Sequence, residues 1–100
     1  MSVNGKAANI LLDLVSGYDP AADHDTNARA FGATVTSLND AGVVVARLTS
    51  DDALDLYMDP LFVGSGWTHR WLLDQLADAT GKDKDTLLFE LREYVARIDK

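Results

Sequence analysis

The chain has 100 residues, of which 47% are apolar, no cysteine, and a net charge of −7. These values describe one globular domain and exclude a disordered chain, a disulfide scaffold and a thiolate metal site. No apolar run reaches the roughly 18 residues that a membrane-spanning helix needs.

The first predicted helix covers Lys6 to Ser16, with Asn4 as its cap and Gly17 as its end. Ala7, Ile10, Leu11, Leu14 and Val15 give it a broad apolar stripe. The preceding residues, Met1 to Lys6, do not read as a signal peptide, because the apolar stretch behind them is short and broken by Asp13. Together with the missing cysteines, this points to a cytoplasmic protein of a bacterium or a phage.

A polar connection, Tyr18 to Thr26, follows, in which Asp19 and Pro20 open a short turn. The second predicted helix runs from Thr26 to Ala41, with Asp25 as cap and Gly42 just past its end. Ala28, Phe31, Val35 and Leu38 recur at helical spacing, although Thr34, Thr36 and Ser37 weaken the pattern. The β-branched run in 43–48 favours a strand. A strand needs a partner, so this segment is either a short helix or half of a two-stranded pairing with 61–63.

Ser50 is a candidate cap for a third helix, with Asp51 and Asp52 in its first turn and a stop at Asp59-Pro60. The fourth helix starts after Gly64-Ser65-Gly66, runs to Thr80 and ends at Gly81. Trp67, Trp71, Leu72, Leu76 and Ala79 line its broad apolar face. Asp83 caps the fifth, whose stripe is Leu87, Leu88, Leu91, Tyr94, Val95 and Ile98. The expected fold is therefore a single all-α domain over 1–100, a small bundle of four to five helices, with the 43–48 and 61–63 pairing as its one β option.

The charge is uneven. Residues 1–60 hold nine acids against Lys6, Arg29 and Arg47, whereas residues 61–100 hold seven acids against six bases. The acidic part disfavours nucleic acid, keeps the chain soluble, and leaves open an acidic decoy for a basic nucleic-acid-binding protein.

Few residues carry chemistry. Asp19, Asp23, His24 and Asp25 are oxygen and nitrogen donors, but they lack the alternation and glycine of a calcium loop, and capping explains them. No metal or cofactor is expected, and with His24 and His69 alone no spacing supports a catalytic triad. Gly64-Ser65-Gly66 before a helix suggests a small-ligand or anion site formed by Ser65, Gly66, Thr68, His69 and Arg70.

The segment Leu76 to Leu87 resembles a helix-turn-helix, with Ala77, Gly81 and Leu87 at the small, turn and buried positions. However, Asp83, Asp85 and Glu90 would then face phosphate. Ser65 is placed similarly to the attachment serine of acyl carrier proteins, with Gly-Ser-Gly where that family has Asp-Ser-Leu.

The aromatic residues give the leading expectation. Trp67 and Trp71 lie one helical turn apart, and Phe89 sits off the stripe of the last helix, beside Asp85, Arg92 and Glu93. They are candidate anchors for a protein partner or a homo-oligomer. The functional expectation is a non-enzymatic protein–protein interaction or regulatory module, without nucleic acid or membrane.

Overall fold

The computed structural model describes residues 1–99 and is mostly helical. In chain order the elements are α1 (Val3–Gly17), α2 (His24–Asp40), β1 (Val45–Leu48), β2 (Leu54–Tyr57), α3 (Asp59–Thr80) and α4 (Lys84–Ile98). The expected small, mostly α fold with one two-stranded pairing is what forms. The chain divides into two compact units, Met1–Trp67 and Thr68 onward.

In the N-terminal unit, α1 begins two residues before the expected cap, at Ser2, whose Oγ accepts a hydrogen bond from the Gly5 N–H at 3.1 Å. The cap of α2 is Asp23 and not Asp25: Asp23 Oδ1 accepts from the Thr26 N–H at 2.7 Å. Asp25 instead lies in the first turn, where a carboxylate favours the helix dipole. Asp19 closes the intervening turn by accepting from the Ala21 N–H at 2.9 Å, and Asn27 holds the Asp19 backbone through both its amide oxygen and its amide nitrogen. Tyr18, just past the end of α1, lies against Phe31 in the middle of α2, with ring centroids 5.4 Å apart. Thr34 and Thr36 fit inside α2 because each hydroxyl donates to the carbonyl four residues earlier.

The end of α2 places the core. Gly42 has φ +73°, a conformation glycine adopts without a Cβ penalty. The Gly42 N–H donates to Asn39 O and the Val43 N–H donates to Leu38 O, which is a Schellman closure. It folds Val43 back onto Leu38. These two side chains and Ala7 form the buried cluster, flanked by Ile10, Ala41, Val44 and Leu61.

The hairpin differs from expectation in its partner. β1 pairs antiparallel with β2, Val45 opposite Tyr57 and Leu48 opposite Leu54, so 61–63 is not a strand. The expected third helix from Ser50 is also absent. Thr49 to Ala53 form the turn, Asp52 takes a left-handed φ of 59°, and the Ala53 N–H donates to Thr49 Oγ1. A short Ser-Asp-Asp segment caps a helix or turns a hairpin equally well, and the alternation Leu54, Asp55, Leu56 selects the strand.

The helix predicted to start after Gly64-Ser65-Gly66 starts instead at Asp59, with Pro60 in its first turn, where a missing N–H costs nothing. Gly64 is therefore interior to α3 and is buried there for a steric reason. A Cβ at this position would lie 2.7 Å from the Ala8 amide nitrogen and 3.1 Å from the Ala7 Cβ, so α3 crosses α1 nearly backbone to backbone. At Gly66 the equivalent space is open.

In the C-terminal unit, α3 ends at Gly81, φ +73°, whose N–H donates to Ala77 O. A three-residue connection leads to Asp83, which caps α4 by accepting from the Thr86 N–H at 2.8 Å. Lys84 Nζ then contacts Asp74 of α3 at 2.5 Å, and Lys82 Nζ contacts Glu90 at 2.6 Å. Leu87 is the one buried side chain among the described residues of this unit.

Two results should follow. Gly66→Ala should stabilise the protein by about 1 kcal/mol, the helix-propensity difference. Gly64→Ala gains the same propensity but overpacks backbone at a cost of roughly 1–3 kcal/mol, so it should be net destabilising, and Gly64→Val more so. Thermal or urea denaturation separates the two, and equal stabilisation by both alanines would refute the close crossing.

The caps give a pH result. Hydrogen bonds from the Thr26 and Thr86 backbone N–H groups hold Asp23 and Asp83 below the usual carboxylate range. Their contribution is complete above the ordinary aspartate value of 3.8 and is lost as pH falls through the lower folded-state values. In Asp23→Asn and Asp83→Asn the cap remains but no longer titrates. The acid limb of helical circular dichroism should therefore be flatter in the double variant; an unchanged limb would count against cap titration.

Candidate functional site

The residues singled out for ligand binding do not lie at a helix start. Ser65 and Gly66 fall in the second turn of α3, with Thr68, His69 and Arg70 further along. Only the first four N–H groups of a helix lack an intrahelical acceptor, so the backbone at 64–66 is committed to the helix and offers no cradle for an anion. The glycine at 64 serves the crossing with α1 instead. Arg70 is paired along its own helix, Nε to Asp74 Oδ1 at 3.6 Å.

Asp74 is the most charge-linked carboxylate of the C-terminal unit. The hydrogen bond from Lys84 holds it below the usual carboxylate range, and Arg70 adds to the effect. All three side chains are solvent-exposed. The arrangement ties the start of α4 to α3 and presents no reactive group.

The acids of the Asp19–Asp25 segment are likewise occupied locally. Asp19 closes a turn and Asp23 caps a helix, so their oxygens point at backbone and not at a common centre. Among the described residues, no three histidine or acidic side chains are grouped so as to hold a metal ion. A groove between α1 and α2 is lined by Ile10, Leu14, Ala30 and Ala33, with Asp13 and Ser37 also on it. Its lining is mainly small and apolar, and no nucleophile–base pair lies in it.

The aromatic candidates are exposed. Trp67, in the N-terminal unit, is 53% accessible; Trp71 and Phe89, in the C-terminal unit, are 61% and 63% accessible. Phe89 was conspicuous in the sequence because it leaves the stripe of its helix. Periodicity did not reveal that the stripe is open as well: Leu91, Tyr94, Val95 and Ile98 are all exposed, the last at 62%. A stripe that packs inside a chain and one that packs against another chain have the same spacing. Among the described residues of this unit, Leu87 is the only one buried.

On α4 the apolar set is flanked by charge in a regular way. Leu87 and Tyr94 are seven residues apart, as are Leu91 and Ile98, and so are Glu90 and Arg97. The Arg97 guanidinium lies 5.8 Å from the centroid of the Tyr94 ring, beside the open stripe. The surface of α4 is thus apolar along its centre and charged at its margin. Compared with protein-family models, curated proteins and solved structures, the chain finds no match in any of the three.

Proposed function

We propose that this chain is a non-enzymatic protein–protein interaction module, working in the cytoplasm through its C-terminal unit, with Trp71 and Phe89 as anchors. The observation that carries this reading is the exposed apolar surface of α4 and the second half of α3 in a unit with one buried side chain among its described residues. That unit is shorter than the roughly 40 residues below which a chain usually needs disulfides, metal or oligomerisation to hold itself together. Exposed tryptophan and phenylalanine rimmed by charge are typical contact anchors. The cysteine-free composition fits a reducing compartment.

The acids of residues 1–60 take a supporting role in this reading. The net charge maintains solubility despite the apolar surface.

Trp71→Ala and Phe89→Ala should each weaken association by about 30-fold or more, the effect expected of a contact anchor. The measurement combines light scattering of the full chain with affinity capture of its partners, and circular dichroism verifies that the variants remain helical. Two helical variants that assemble and capture partners as the parent does would end the proposal.

A further inference from the structure

We propose that α4 is self-complementary and forms the seam of an antiparallel homodimer. This rests on the reading of the C-terminal unit as an interaction surface, and it specifies the partner as a second copy of the chain. Leu87, Leu91, Tyr94 and Ile98 are spaced 4, 3 and 4 residues apart, which is the a/d alternation of a helix seam. Leu87 and Tyr94 take d positions, and Leu91 and Ile98 take a positions. A seam of two antiparallel helices pairs a with d. With a two-fold axis between Arg92 and Glu93, Leu91 meets the partner's Tyr94 twice and Ile98 lies at each end, while Leu87 is already covered within its own unit. The exposed seam residues Leu91 and Tyr94 then each have an apolar counterpart across the axis.

The charges agree with this register. Glu90 and Arg97 both occupy g positions. In the antiparallel pair g faces g, so Glu90 meets the partner's Arg97, and two-fold symmetry makes this contact twice. On the opposite margin the e positions are Leu88 and Val95, which meet each other across the axis. A parallel pair lacks this agreement, because it sets Glu90 against the partner's Val95 and stacks Tyr94 on its own copy.

Local geometry leaves the margin ready. Arg97 already lies over Tyr94, a seam residue. Glu90 holds Lys82 through Oε1 in an exposed pair, and its carboxylate has a second oxygen to offer. The chain as a whole is strongly acidic and resists its own copy, but α4 is not: it carries three acids and three bases, so self-pairing there brings no net repulsion.

The test is a charge exchange in the full-length chain, read by sedimentation across the micromolar range. The parent should sediment as a dimer. Glu90→Arg places two arginines opposite each other on both sides of the axis, and Arg97→Glu does the same with glutamates. Each should raise the dimer dissociation constant about tenfold.

The double variant, Glu90→Arg with Arg97→Glu, should regain the parental value. An equimolar mixture of the two single variants should form a heterodimer in preference to either homodimer. Both positions are exposed, so circular dichroism should show the parental helix content in all variants. A monomeric parent, a dimer indifferent to both single exchanges, or a double variant as weak as the singles would each overturn the proposal.

These outcomes are separate from those of the preceding test. A monomeric chain whose partner capture still depends on Trp71 and Phe89 removes the self-pairing and leaves the interaction module standing. A dimer governed by Glu90 and Arg97 but indifferent to Trp71 and Phe89 upholds the seam and removes the anchors.

Discussion

The N-terminal unit depends on one backbone reversal. At the end of α2, Gly42 takes a left-handed conformation, and two hydrogen bonds to Leu38 and Asn39 turn the chain so that Val43 returns onto Leu38. That contact supplies two of the three members of the buried cluster, and Ala7 of α1 closes it. A residue with a Cβ at position 42 would occupy this conformation only under strain. The same reversal sends the chain into β1, so the hairpin and the core share a single origin.

The second constraint is small size where α3 meets α1. Ala7 and Gly64 leave no side chain between the two backbones. The unit accordingly has few large buried groups; Val43 is the largest that is fully enclosed. Close approach of backbones compensates for a shortage of bulk, since dispersion contacts accumulate over many atoms at short range. In the C-terminal unit the balance is different. Its long aliphatic and aromatic residues are present in the right pattern, but most of them are exposed.

Much of this was legible in the residues. The helices around Ala7 to Val15, Ala28 to Leu38 and Leu87 to Ile98 announced themselves by spacing, and Gly42, Gly81 and Asp83 marked their limits. The misreadings have specific causes. Ser50-Asp51-Asp52 suits a helix start and a hairpin turn alike, and the strand behind it has only four residues in which to show its alternation. Gly64-Ser65-Gly66 resembled punctuation because glycine is costly inside a helix, and only the presence of the Ala8 backbone explains why one of the two is retained there. The apolar stripe of α4 was legible but its exposure was not, because apolar spacing is the same for a face that is covered and for one that is open.

The crossing at Gly64 also has a consequence for the order of events during synthesis. Ala7 and Gly64 are separated by more than half the chain, while Ala7 is covered only when the start of α3 has arrived. On a ribosome adding roughly 5–20 residues per second, α1 and α2 therefore spend several seconds with an incomplete neighbour. Over that interval Ala7 lacks the cover of the α3 backbone, and the cluster it forms with Leu38 and Val43 is open on that side.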